Sequence, residues 1–339
     1  MSDVGCNVVT NDRDLAALQP CWSELWRGVP EASPFQSPEW LLPWWRAFGT
    51  GRPRVAVLRG GERMLGALPL YRLDEPGGGK LLPLGAGLSD YCDALLAPDA
   101  PDGAADRLLA AALAVDPPGA LARCDLIDLP PGSALRDVRA PPGWSVWRED
   151  GETCPVLALP SGARDLRSVV PASMRRKISM ARHRAERGGG SAIETATPDT
   201  LGAMLPELVR LHGLRWQGRG SAGVLTDPLV HAFHRDATPR LLAAEMLRMQ
   251  ALRIGGKLAA VFYLLLAGAG RVFAYLGGFD PAFAYESPGT LMFAAAIEDA
   301  IREGRREFHF LRGGEAYKYA WGALDQPSMT VRLLPAGRG

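Results

Sequence analysis

Apolar and polar positions run twice through the same succession along this chain. "VLRGGERMLGALPLY" (57–71) and "ALRIGGKLAAVFYLL" (251–265) each read as strand, Gly-Gly turn, strand, which is a hairpin pattern. Third strands follow, "KLLPLG" (80–85) and "RVFAYLG" (271–277). Next come "AADRLLAAALAV" (104–115) and "TLMFAAAIEDAI" (290–301), whose apolar residues recur with helical period. A fourth strand closes each series, "CDLIDL" (124–129) and "EFHFLRG" (307–313). The offset of about 190 residues is too long for a solenoid and predicts a tandem duplication of one domain. The expected fold class is α/β (α+β), with domains at 1–150 and 151–339, each a mixed, mostly antiparallel sheet flanked by helices.

Composition adds limits. The 339 residues suit two domains, and the 47% apolar and 22% charged content is ordinary for globular proteins. A formal net charge of +1 supplies no overall field for nucleic acid or an anionic membrane, so any basic site is local. No apolar run reaches the roughly 18 residues of a membrane span. The first residues lack a basic region followed by an apolar run, so no secretory signal is expected. Five cysteines at wide, irregular spacing fit no zinc or CxxC pattern and suggest reduced thiols in a cytoplasmic setting. The scattered histidines suggest no metal cluster. Abundant Ala, Arg, Gly and Pro suggest a GC-rich bacterial source.

Four stretches can carry chemistry. In "YESPGTLMFAAAIEDAIREG" (285–304), Ser287 is a candidate N-cap and Pro288 suits the first helical position. Gly289 and Thr290 add little bulk, so the first-turn N–H groups can meet a phosphate. The corresponding start in the first copy carries Asp102 and Asp106, which disfavour an anion. "PASMRRKISMARHRAERGGG" (171–190) has a narrow apolar stripe in a mostly basic helix. Arg175, Arg176 and Lys177 there suit an anionic cofactor, an acyl carrier protein or RNA, or simply a solvated face. In "FHFLRGGEAYKYAWG" (308–322), Arg312 and Lys318 can neutralise phosphate, Glu315 can accept a proton, and Tyr317 or Tyr319 can donate one. A structural ion cluster with an aromatic plug is the plainer reading. "LGAGLSDYCDALLAP" (84–98) offers Asp90 as a second candidate base beside Tyr91. Trp40, in the aromatic stretch 33–49, and His212 with Trp216 on one helix face read either as packing or as substrate contacts.

With those residues in view, the sequence resembles GNAT-superfamily acyltransferases of the cellulose-biosynthesis type, relatives of the Fem peptidyltransferases. "SPFQSPEWLLPWWRAFG", "SMRRKISMARHRAERGGG" and "FHFLRGGEAYKYAWG" carry the likeness, which extends from about residue 20 to 333. It implies two GNAT-like domains in tandem, acyl-CoA as co-substrate with its pyrophosphate at 286–291, and no metal. The acyl carbonyl would lie beside "RVFAYLGGF", at Leu276 and Gly277, and a small-molecule or sugar amine would attack directly in an interdomain cleft. The usual glycine-spaced pyrophosphate motif is replaced by Ser287, Pro288 and Gly289, and Gly314 stands where the family's turn has a carboxylate. A Fem-like aminoacyl-tRNA donor, a carrier-protein donor and a non-catalytic binding module are the rival readings. The low net charge weighs against tRNA.

Overall fold

The computed structural model describes residues 4–217 and 224–337, with the side chains of 215–217 and 224 outside that description. The chain forms two compact units, Met1–Thr153 with Gln326–Gly339, and Cys154–Asp325.

The first unit contains β1 (Val4–Val9), α1 (Asp12–Ala17), α2 (Gln19–Gly28), α3 (Pro38–Phe48), β2 (Arg52–Gly60), β3 (Arg63–Glu75), β4 (Gly78–Pro83), β5 (Leu95–Leu96), α4 (Ala104–Ala114), β6 (Leu121–Leu129) and β7 (Trp144–Thr153). The second contains β8 (Val156–Ala158), α5 (Ala172–Arg187), β9 (Ser191–Thr195), α6 (Pro198–Gln217), α7 (Pro228–Ala243), β10 (Leu247–Ile254), β11 (Lys257–Ala267), β12 (Arg271–Phe279), α8 (Pro288–Arg302), β13 (Glu307–His309) and α9 (Ala316–Tyr319). The last strand, β14 (Pro327–Pro335), belongs to the first unit.

Sheet order is β1-β2-β3-β4-β6-β14-β7, with β5 on β3, in the first unit, and β8-β13-β12-β11-β10-β9 in the second. The duplicated succession is visible in both. Each copy has two antiparallel pairings followed by one parallel pairing across a helix: β4 with β6 across α4, and β12 with β13 across α8. The Gly-Gly turns work because Gly61, Gly255 and Gly256 take positive φ, which only glycine adopts without cost.

Residues 326–339 depart from the expected split at 150/151. β14 pairs with β6 (Leu333 opposite Cys124) and β7 (Leu334 opposite Ser145), completing the first sheet. An unpaired β6 edge would expose a row of donors and acceptors, and the returning strand satisfies them. Arg332 fixes this placement through Asp125 at 2.8 Å and Glu149 at 3.3 Å.

Between the sheet and helices α5 and α8 lies an apolar core that includes Met174, Ile178, Phe262, Met292, Ile297 and Phe308. The narrow stripe of α5, Met174, Ile178, Ala181 and Ala185, is its buried face. No helix among the described residues is long and apolar enough to cross a membrane.

Candidate active site

β12 and β13 begin as a parallel pair and then part. Their register runs only from Arg271–Phe273 opposite Glu307–His309. Beyond it the Phe310 N–H turns to the Pro155 carbonyl at 2.9 Å. Residues 274–279 of β12 therefore have no ladder partner on that edge among the described residues. On its other edge β12 carries a bulge. Tyr263 faces Leu276 and Leu264 faces Ala274, so Tyr275 is the extra residue. A bulge bends the strand and re-aims its backbone groups. Leu276 and Gly277 sit just past it, where an added Cβ at Gly277 would meet the Phe262 ring at 2.8 Å. At Gly278 a Cβ would lie 2.4 Å from the His212 backbone nitrogen, so this glycine lets α6 press onto β12. His212 is buried on that packed face, as the packing alternative requires.

α8 starts beside the open edge. Ser287 occupies the left-handed region at φ 55° and its side chain makes no capping bond, unlike the expected N-cap. Its carbonyl accepts instead from Thr290 N–H at 2.9 Å and Leu291 N–H at 3.3 Å. Pro288 has no N–H to satisfy. The N–H of Gly289 is one of the first-turn donors that a helix leaves without an intrahelical acceptor, and it has none among the described residues; the Tyr285 carbonyl, four residues back, accepts from Arg184 at 2.9 Å. A Cβ at Gly289 would meet nothing within 4 Å, and no acidic residue lies in the first turn. A free donor, an open approach and the positive end of a four-turn helix suit an anion.

Lys318 corrects the sequence reading. It is buried, and its ammonium gives hydrogen bonds to the carbonyls of Leu311 at 2.8 Å, Arg312 at 2.6 Å and Gly313 at 2.9 Å. Three carbonyls and the Glu315 carboxylate already surround its three protons. Lys318 instead stabilises the turn after β13, where Leu311 and Gly313 adopt positive φ. The exposed Glu315 carboxylate pairs with the same ammonium at 2.9 Å. Arg312 is half-buried within this turn. Tyr317 is 40% exposed, and its ring lies 5.8 Å from Phe293 of α8. The second unit thus joins Tyr317 to α8 through Phe293, and Glu315 to Lys318.

Other expected site residues lie elsewhere. Trp40 is fully buried and donates to the Ser89 hydroxyl at 2.9 Å; Tyr91 is buried against Phe35. Both are core residues of the first unit. Asp90 is half-buried in the first unit, outside the group that the second unit assembles. The Trp216 side chain lies outside the described residues. Arg175, Arg176 and Lys177 stand in the first half of α5; Arg175 lines a groove of about 460 Å³ with Arg167, Arg182 and Glu298.

Three polar groups escaped the sequence reading. His234 is buried between Tyr263 and Tyr275, with centroids at 5.6 and 5.7 Å, and lines a largely apolar cavity of about 560 Å³ between α6 and α7. Burial, with the charge of His231, pushes its pKa down to about 3, so it stays neutral. Tyr263, whose hydroxyl has no partner among the described residues, was legible only as a polar atom within the apolar run 259–267. In the first unit, burial raises the Asp93 carboxyl to about 7 against hydrogen bonds from Ser133 at 2.6 Å and Ala94 N–H at 2.8 Å. No group of three or more potential metal ligands occurs among the described residues.

Comparison with known proteins bears on the fold. Residues 172–319 match a family model described as an acetyltransferase (GNAT) domain. No curated protein matches. Among solved structures, FemX has a TM-score of 0.68 at 11% identity, over 92% of this chain and 95% of FemX. The C-terminal domain of a putative lysylphosphatidylglycerol synthetase from Agrobacterium fabrum has a TM-score of 0.61 at 13% identity, over 94% and 92% of the two chains. A tandem GNAT protein from the clavulanic acid biosynthesis pathway has a TM-score of 0.50 at 17% identity, over 99% and 100%. The chain has the GNAT acetyltransferase fold in a tandem, two-domain architecture, and its second unit carries the segment matched as an acetyltransferase domain.

Proposed function

We propose that the protein is a cytoplasmic N-acyltransferase that moves an acyl group from acyl-CoA to an amine of a small molecule or sugar. The observation that carries this is the unpaired edge of β12 opening beside an α8 start whose Gly289 N–H is free and unobstructed. The GNAT match over 172–319 supports acyl transfer as the chemistry.

In this reading, the Gly289 N–H at the start of α8 holds the donor's diphosphate, with Arg312 as a counter-charge. The open edge of β12 around Leu276 and Gly277 aligns the thioester, and a backbone N–H there receives the developing oxyanion. The amine nitrogen attacks the thioester carbon and its surplus proton passes to Glu315. The Lys318 ammonium lies 2.9 Å from that carboxylate. The C–S bond then breaks, and Tyr317 gives its proton to the departing thiolate. Asp90 enters no step. No covalent enzyme intermediate forms, so no Ser-His-Asp or Cys-His arrangement is needed.

Calorimetric titration with acetyl-CoA tests this. Wild type should bind saturably, and Gly289→Glu, which places a carboxylate where space is open, should bind at least about tenfold more weakly. Absence of wild-type binding would refute the CoA reading. A second reading, an aminoacyl-tRNA donor, draws on basic α5 and the FemX-like fold. It predicts tRNA binding that weakens steeply with salt and is lost on reversing Arg176 and Lys177.

A further inference from the structure

We infer that one face of α5, formed by Lys177, Arg184 and Arg187, acts with Tyr285 to bind the 3′-phosphoadenosine end of the CoA donor. This rests on the donor reading above and extends it from the diphosphate to the nucleotide, selecting CoA over a carrier-protein donor.

Lys177, Met180, Arg184 and Arg187 recur at i, i+3, i+7 and i+10, one side of a helix. The cations of α5 divide by partner. Arg182 is neutralised by Glu298 through bonds of 2.8 and 2.7 Å. Lys177, Arg184 and Arg187 form no ion pair among the described residues, and the nearby carboxylates Glu186 and Glu286 pair with none of them. What Arg184 and Arg187 engage instead is Tyr285. The Arg184 guanidinium lies 4.5 Å from the ring centroid and donates to the Tyr285 carbonyl at 2.9 Å; Arg187 donates to its hydroxyl at 3.4 Å. The ring is still 61% exposed, and Met180, on the same side of α5 as Arg184 and Arg187, is 53% exposed.

A basic helix face on the surface is ordinarily solvated. This one differs because two long side chains are ordered around an exposed aromatic ring without a carboxylate to offset the entropy. A flat ring with a stacked guanidinium suits a nucleobase, and unpaired Arg and Lys suit a phosphate. Position selects the nucleotide. Tyr285 lies two residues before Ser287, where the donor's diphosphate would dock, and in CoA a single ribose joins that diphosphate to adenine and the 3′-phosphate. A carrier-bound phosphopantetheine has neither adenine nor 3′-phosphate. Arg184 also ties this face to the segment just before α8 through its bond to the Tyr285 carbonyl.

The test is calorimetric titration of wild type, Arg187→Glu and Tyr285→Ala with acetyl-CoA, its 3′-dephospho analogue and S-acetyl-4′-phosphopantetheine. Thermal melts check that these exposed-site variants fold. Wild type should lose about tenfold or more in affinity without the 3′-phosphate, and Arg187→Glu should erase that preference. Tyr285→Ala should weaken both nucleotide ligands while leaving the phosphopantetheine affinity unchanged. Equal wild-type affinity for acetyl-CoA and its dephospho analogue, or a preference surviving in Arg187→Glu, overturns the inference while leaving the CoA donor standing. Failure of wild type to bind any of the three overturns both. A short RNA that displaces acetyl-CoA and depends on Arg187, with no 3′-phosphate effect, would reassign the face to nucleic acid.

Discussion

The two copies of the strand–helix–strand succession differ at the junction before the helix. In the first, β3 and β4 pair without a register shift, and α4 starts at Gly103 between Asp102 and Asp106. The Asp106 carboxylate already accepts from the Arg139 N–H at 2.8 Å. In the second, β12 bulges at Tyr275, α8 starts without an acid in its first turn, and arginines of α5 stand over the approach. Both helix starts have the same backbone polarity. The side chains around them decide whether an anion is repelled or welcomed, and the bulge changes what the strand presents. The proposed donor site thus falls in one copy of a shared topology and not in the other.

The end of the fourth strand shows the copies converging. Asp128, the next-to-last residue of β6, and Leu311, two residues past β13, both take positive φ. Arg136 donates to the Leu129 carbonyl at 2.9 Å in the first copy, while Lys318 holds three carbonyls in the second. Lys318→Met should therefore cost the second unit about 3 kcal/mol or more, since it orphans buried carbonyls; Arg136→Met should cost the first unit less. Urea unfolding checks this, and equal small losses would contradict the assigned role.

Gly278→Ala comes next. Its Cβ would meet the α6 backbone, and about 1–3 kcal/mol of overpacking is expected. Gly289→Ala, with open space around it, is the control and should leave stability nearly unchanged.

Asp93 gives a pH-dependent difference confined to the first unit. Its folded pKa is raised by burial from 3.8 to about 7. The fold therefore holds this proton more tightly than the unfolded chain does. The stability it contributes is present at low pH and is lost as pH rises from about 4 to about 7, by up to roughly 1.4 kcal/mol per pH unit. Urea unfolding of wild type and Asp93→Asn at pH 5 and pH 8 isolates the effect: wild type should lose stability relative to the variant. A constant difference would show that Asp93 is not protonated in the fold. The smallest effect belongs to Asp102→Asn with Asp106→Asn, which should leave acetyl-CoA affinity unchanged.

Much of the fold was legible because its signals are local. The Gly-Gly turns at 60–61 and 255–256 and the helical period of 290–301 fix hairpin and helix without distant partners. The return of β14 to β6 was not legible, since alternation in 327–335 identifies a strand but not its neighbour. At the candidate site, residue type outran geometry. Ser287 has the chemistry of an N-cap, yet its left-handed backbone removes the side chain from that role. Lysine suits phosphate and carbonyls equally, and only the positive-φ turn at 311–313 decides for carbonyls. The spacing of Trp40 with Trp44 and Trp45 marks one helix face and says nothing of whether protein or ligand covers it. His234, Tyr263 and Tyr275 meet through tertiary packing across separate elements, so no spacing announces them.

The account's central claim is that the donor is held at the second copy's helix start and not at the first's. Amide hydrogen exchange with and without saturating acetyl-CoA tests it directly. The account predicts slowed exchange in a peptide spanning 285–291 and unchanged exchange across 102–107. Protection at 102–107, or bound acetyl-CoA with no protection at 285–291, would contradict it.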